Sequence, residues 1–247
     1  MERTGTATVS PEATDPSPED PPDTGIRPMR PGDEPDIRRL FRATLARGSA
    51  APGDLGDLRA YEDLCLDWYL HAGTGLVVVA HGRIAGYLLA CLDEADHRRW
   101  QRRHAARWVA RSLAEVATGR RRAQARRFVL LRLRDGLASA RRAAAPAPAH
   151  AHVNLEPQLR GGRTGPLLAR RMDALVAAAG HRAWYAEMNR PAGRPHAALA
   201  RRGVRVVGCV PSATFSWLTG EPIERITLVR EVRLEPAPVT ATERAAR

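Results

Sequence analysis

The sequence predicts an α/β fold in one main domain, and three observations carry that expectation. Strand-like and helix-like segments alternate along the chain, and one strand–turn–helix junction is dense in glycine and arginine. With 247 residues and a hydrophobic fraction of 44%, the chain is long enough to bury one core, with or without an appendage. No apolar run reaches the roughly 18 residues of a membrane span. The N-terminus lacks the basic start and apolar stretch of a secretory signal, so a cytoplasmic protein is expected. Cys65, Cys91 and Cys209 are odd in number and widely spaced, with no Cys-x-x-Cys and no nearby histidine pair. They are expected to be reduced core residues, and no metal site is expected.

Taken in order, residues 1–24 are rich in Pro, Thr, Ser, Asp and Glu, the composition of a disordered tail. Ile26–Arg30 predicts a first strand. Asp33 is then placed to cap a helix in which Ile37, Leu40, Phe41 and Leu45 recur at helical spacing. A Gly/Pro-rich break at 48–56 precedes a second helix carrying Tyr61, Leu64, Cys65, Trp68 and Tyr69. Leu76–Ala80 and Ile84–Cys91 are apolar runs joined by His81-Gly82-Arg83, a hairpin signal. Val153–Leu155, Trp184–Met188, Val204–Trp217 and Ile226–Val232 supply four further strands, and residues 236–247 form a flexible tail.

Between the third and fourth strands lies a long segment, 93–150, read as an insertion. Two helices are predicted there, one with Trp100, Trp108, Val109, Leu113 and Val116, the other with Phe128, Leu130, Leu131, Leu133 and Leu137, broken at Gly119. Residues 96–142 hold 15 arginines against Asp96, Glu115 and Asp135, so the whole net charge of +12 sits in this segment. Every basic residue of the chain is arginine, a bias that matches a GC-rich genome and tempers functional readings of the charge. A basic hairpin of this kind fits nucleic acid, an anionic surface or an acidic partner. It equally fits a solvated arginine face on helices that cover the sheet or join two copies in a homodimer. No helix-turn-helix, zinc-finger or single-strand stacking signature favours nucleic acid. Arg120-Arg121-Arg122 is the run best placed to touch an anion.

The most informative stretch runs from His152 to Leu168: a short strand, a stop at Pro157, a turn of Arg160-Gly161-Gly162-Arg163-Thr164-Gly165, and the start of an amphipathic helix. Such a turn presents several backbone N–H groups at a helix N-terminus, where unpaired donors and the dipole attract anions. The alternative is an ordinary glycine-rich connection.

This stretch resembles the acyl-CoA diphosphate loop of the GNAT superfamily of N-acetyltransferases, Arg/Gln-x-x-Gly-x-Gly/Ala. Arg160 and Gly165 match its ends, and Arg163 replaces the middle glycine. Leu155-Glu156-Pro157 is similar to the end of that family's central strand, and the order β-α-α-β-β, insertion, β-α-β-α-β-β is the family's order over residues 25–235. The resemblance implies a mixed, mostly antiparallel sheet with splayed central strands flanked by helices, here with an inserted basic helical hairpin as in some bacterial members. It implies acetyl-CoA as co-substrate, with Val153, Leu155 and Glu156 along the pantetheine, Leu155 nearest the thioester, and Arg160, Gly161, Gly162, Arg163, Thr164, Gly165 and Asn189 as further cofactor contacts.

For the amine's proton the candidates are His150, His152, Glu156 and Glu187, or a water chain. The family's general acid is a tyrosine in Asn-x-x-Ala-x-x-x-Tyr-x-x-x-Gly-Phe. Aligned on Gly203 that position is Leu199, and aligned on Asn189 it is His196. The acid is therefore His196, or Tyr185, or activity is lost. The reading that follows is an acetyl-CoA-dependent N-acetyltransferase passing the acetyl group directly to a primary amine of a small molecule or peptide. The alternative is a non-catalytic protein on the same fold that binds acyl-CoA, another anion or nucleic acid.

Overall fold

A computed structural model describes residues 21, 23–46, 55–120, 122–140 and 145–232. The expected tails, apart from 21, 23 and 24, and Arg121 of the arginine run lie outside the described residues. Continuous apolar runs, buried on both faces, build the centre of the sheet. Gly75–Ala80 (β2) and Arg83–Cys91 (β3) pair antiparallel through His81-Gly82, with φ of 50° and 71°. This two-residue turn has a twist that suits a hairpin, and Gly82 takes its left-handed conformation without steric cost. Gly25–Pro28 (β1), Ala149–Leu155 (β4), Ala183–Pro191 (β5), Arg205–Pro211 (β6) and Ile223–Glu231 (β7) complete a seven-stranded sheet of order β1-β2-β3-β4-β5-β7-β6. Only β4 and β5 run parallel.

Seven α-helices accompany the sheet among the described residues: α1 Glu34–Thr44, α2 Arg59–Ala72, α3 Glu94–Ala117, α4 Ala123–Ala140, α5 Thr164–Ala178, α6 Ala197–Ala200 and α7 Ala213–Thr219. The period of two along each strand divides the core in two. On one face Val77, Tyr87, Leu89 and Cys91 meet Ile37, Leu40 and Phe41 of α1, Leu66 and Tyr69 of α2, and Phe128 of α4. On the other, Val78, Leu88, Ala90 and Ala151 meet Leu168, Met172 and Val176 of α5. Those three residues recur every four positions and are fully buried, so α5 presents one apolar stripe to the sheet. The Arg38 guanidinium, itself buried, joins α1 to α2 by reaching Asp63 at 3.0 Å and Asp67 at 2.5 Å.

Four local expectations are corrected. Asp33 does not cap α1 with its side chain; it ends a 3-10 turn at Pro31–Asp33, where it accepts from Arg27 and from the Arg30 N–H. The Val204–Trp217 strand stops at Pro211, and residues 213–219 are helical. Ser212 caps that helix through Phe215 N, and Gly220 ends it at φ 75°. In the insertion, Phe128 is buried and Trp108 packs on the core, whereas Leu113, Leu130 and Leu137 are exposed. Of the cysteines only Cys91 is buried; Cys65 is half-buried and Cys209 exposed. The hairpin therefore covers the α1/α2 face with part of its apolar stripe. Asp135 of α4 anchors it, accepting from Ser212 Oγ, Ala213 N and Thr214 N at the start of α7.

Candidate acyl-CoA site

The parallel ladder between β4 and β5 holds only two residue pairs, Ala149 with Trp184 and His150 with Tyr185. Beyond them the strands part. Glu156 N donates to Ala85 O on β3, which fixes the alternation: even-numbered residues of β4 turn their backbone groups to β3, odd-numbered ones toward β5. The main-chain groups of Val153 and Leu155 thus face the gap. Arg160 Nε takes up the Leu155 carbonyl at 3.0 Å, leaving the Leu155 N–H and both groups of Val153 directed into the opening.

Past the gap, the chain makes a 3-10 turn at Pro157–Leu159 and a bend in which Gly161 stands at φ 90°, then enters α5 at Thr164. An open cavity of about 610 Å³ lies against this helix end, lined by Gly161, Gly162, Arg163, Pro166, Leu167, Arg170 and Arg202. A Cβ added to Gly165 would meet nothing within 4 Å, so that position faces free space. Three guanidinium groups and the N-terminus of α5 give the cavity a positive character suited to phosphate. Val153, Leu167 and Met188 are exposed apolar residues on the α5 side of the gap, a surface suited to an aliphatic arm.

A scan of protein-family models finds no match to this chain, and neither does a search of curated proteins. Among solved structures, SsHAT superposes with a TM-score of 0.53 at 22% identity, over 85% of this chain and 98% of that one. The apo form of an agmatine N-acetyltransferase superposes with a TM-score of 0.50 at 18% identity, over 85% of this chain and all of that one. The chain has the GNAT fold. At these identities the likeness is one of architecture; the α3–α4 hairpin lies between β3 and β4.

In this GNAT frame Val153, Leu155 and the residues 160–165 gather around the gap and the helix end. Thr164 is fully buried at the start of α5, so its side chain supports the turn from beneath. Glu156 is displaced from its expected role. Its N–H serves β3, and its carboxylate is held by Arg83 and Gln158, Arg83 keeping it below the usual carboxyl range. It is neither a pantetheine contact through its N–H nor a free base. Asn189 lies on β5 opposite Arg225, whose Nε approaches its Oδ1 at 3.5 Å, and is not among the residues lining the cavity at the start of α5.

His152 sits among the rings of Phe41, Tyr69 and Tyr87 on the α1/α2 face. Its Nδ1 is sealed from solvent and has no partner, and burial together with His150 and His97 pushes its pKa down to about 4. It is a neutral imidazole and a weak base at pH 7. Tyr185 donates to Glu94 Oε1 at 3.0 Å, and burial with that carboxylate raises its pKa, so it is a poor proton donor to a thiolate. His196 stands at the start of the one-turn α6 with Nε2 3.8 Å from Glu224 Oε1. It lines a second cavity of about 570 Å³ together with Ala200, Gly203, Val204, Arg205 and Val206. Glu187, partly exposed on β5, lies 3.6 Å from Arg225 Nη1 on the same sheet face as His152.

Sequence reasoning missed two groups. Arg132 of α4 reaches over the rings of Tyr61 and Phe215, at 5.2 and 5.9 Å, and its Nε and Nη1 are buried without partners. The α3–α4 hairpin therefore places a cation on the face opposite the cavity at the start of α5. The other is a buried cluster at the base of the gap. Tyr69 Oη lies 2.5 Å from His150 Nε2, and His150 Nδ1 lies 2.5 Å from Glu94 Oε2, while Arg98 Nε donates to Glu94 Oε1 at 2.7 Å. The signal was present as Cys91-x-x-Glu94-x-x-His97, but it straddles a strand end and a helix start, and the fourth member is 53 positions beyond His97.

Proposed function

We propose that this chain is an acetyl-CoA-dependent N-acetyltransferase. The observation that carries the reading is the arginine-lined cavity at the N-terminus of α5, beside a central strand whose main-chain groups lack a neighbouring strand. The diphosphate rests on the amides of 161–165 and on Arg163, Arg170 and Arg202. The pantetheine arm takes the place of the absent rungs along Val153 and Leu155. The Leu155 N–H then faces the thioester oxygen and stabilises the negative charge that develops on it. The acceptor nitrogen, neutral, adds to the thioester carbonyl; the C–S bond breaks, and the amine's surplus proton passes to Glu187 or to water, while the thiolate is protonated by His196 or solvent.

The acceptor approaches from the α1/α2 face, where Arg132 and the basic hairpin repel a second positive charge. A primary amine with a neutral or anionic remainder is the acceptor class this favours. The weak basicity of His152 and the tying of Tyr185 to Glu94 favour a second reading, an acyl-CoA binder without turnover. Thermal shift with acetyl-CoA, CoA and a nucleic-acid fragment, followed by thiol release over an amine panel, separates them. Stabilisation by acetyl-CoA with turnover supports the enzyme, stabilisation alone supports the binder, and stabilisation by nucleic acid only removes both.

A further inference from the structure

Cys91 is the last residue of β3, and its cross-strand partner on β4 is His150. Asp93 caps α3 by accepting from Asp96 N, which sets the helix to begin at Glu94 and puts Glu94 and His97 on one side of its first turn. All four side chains are buried, and one ligating atom from each lies within 4.8 Å of those of the other three. The imidazoles of His97 and His150 stand 4.6 Å apart. His97 Nδ1 is cut off from solvent and has no hydrogen-bond partner. A ring nitrogen left so is costly in a core, and a cation repays the cost.

We propose that Cys91, Glu94, His97 and His150 form a structural zinc site. The donor set of one sulfur, one oxygen and two nitrogens is borderline-soft and four in number, which suits Zn²⁺ in a closed tetrahedral shell. Thiolate and carboxylate together cancel the charge of the ion, as a buried site requires. On binding, the Cys91 thiol releases its proton. The hydrogen shared between His150 Nδ1 and Glu94 Oε2 gives way to the ion, and the imidazole carries it instead on Nε2, where it donates to Tyr69 Oη. Tyr69, Tyr185 and Arg98 then orient His150 and Glu94 from outside the shell. The ion joins β3, β4 and α3 just where β4 and β5 part, so it fixes the inserted hairpin to the floor of the gap.

The test is metal analysis of the untagged chain, as purified and after incubation with zinc chloride and gel filtration, together with Co²⁺ substitution. One zinc per chain is expected, along with a cobalt spectrum that has tetrahedral d–d bands and a thiolate charge-transfer band. His97→Ala is expected to lower zinc affinity at least tenfold, while His104→Ala, on the same helix but outside the cluster, retains it. A wild-type chain that holds less than a tenth of an equivalent after zinc incubation overturns the proposal. So does a wild-type cobalt complex without the thiolate band, a readout that stands even if His97→Ala fails to fold. Loss of the thiolate band in Cys91→Ser but not in Cys209→Ser assigns the sulfur; the reverse overturns it.

Discussion

Gly165 offers a test in which folding and binding move in opposite directions. It is the second residue of α5, and a Cβ there meets no atom within 4 Å. Gly165→Ala thus introduces no clash in the free protein, and within a helix it is expected to gain about 0.5–1 kcal/mol. For a chain of this size that raises Tm by about 2–4 °C per kcal/mol. Alanine is allowed at this last position of the loop pattern, so Gly165→Ala is the control, and its Kd for acetyl-CoA is expected to stay close to the wild-type value. Gly165→Glu sharpens the contrast. A carboxylate in the first turn complements the dipole and contributes about 0.3–1 kcal/mol to the free protein. Against a phosphate about 4 Å away, at an effective dielectric of about 20, it costs about 4 kcal/mol before salt screening. A loss of at least about a hundredfold in acetyl-CoA affinity is expected after screening. Calorimetric titration with acetyl-CoA, paired with thermal melts of the free proteins, reads both effects. Wild-type Kd in Gly165→Glu would refute the placement of the diphosphate at this helix end.

Asp135→Ala removes three bonds from the start of α7 and is expected to cost about 2–4 kcal/mol in urea unfolding, with Asp135→Asn recovering part of it. A loss below about 0.5 kcal/mol would mean that α4 does not hold α7 in place. Gly86→Ala places a Cβ 2.4 Å from Leu155 Cδ2 and 3.1 Å from Val78, so it is expected to destabilise by about 1–3 kcal/mol and to weaken acetyl-CoA binding by moving Leu155. Arg38→Met leaves Asp67 without the guanidinium that joins it to α1, while Asp63 keeps Arg59, and a drop of about 1–2 kcal/mol is expected on chemical denaturation. Arg27 holds the Asp33 carboxyl below its ordinary pKa. Its contribution is complete above the unfolded value of about 4 and falls away as pH drops through the lower folded value. Melts of Asp33→Asn below pH 4 are therefore expected to change less with pH than those of the wild type.

The elements whose pattern is local were legible in the sequence. The apolar runs Leu76–Ala80 and Ile84–Cys91, joined by His81-Gly82-Arg83, named the hairpin, and Ile37, Leu40 and Phe41 named the buried side of α1. The turn at 160–165 was readable because its glycines and arginines fall on consecutive residues ahead of a helical pattern. What was hidden depends on distance along the chain. Val204–Trp217 carries enough β-branched and aromatic residues to suggest one strand, and its helical half is held by Asp135, 77 positions before Ser212. His152 and Tyr185 were attractive as proton carriers by residue type alone. Their neighbours Phe41, Tyr69 and Glu94, each from another element, decide that one is a weak base and the other is tied.

The short parallel ladder has a mechanical consequence. Two half-sheets, β1–β4 and β5–β7, are stitched together at one end only, and no rungs need to break for a guest to enter. A bound arm running along Val153 acts as a surrogate eighth strand, finishing an edge-to-edge seam that the polypeptide leaves open. Amide exchange at Val153 and Leu155 is accordingly expected to be fast in the free protein and to slow once acetyl-CoA is added, as the two halves become one cooperative unit.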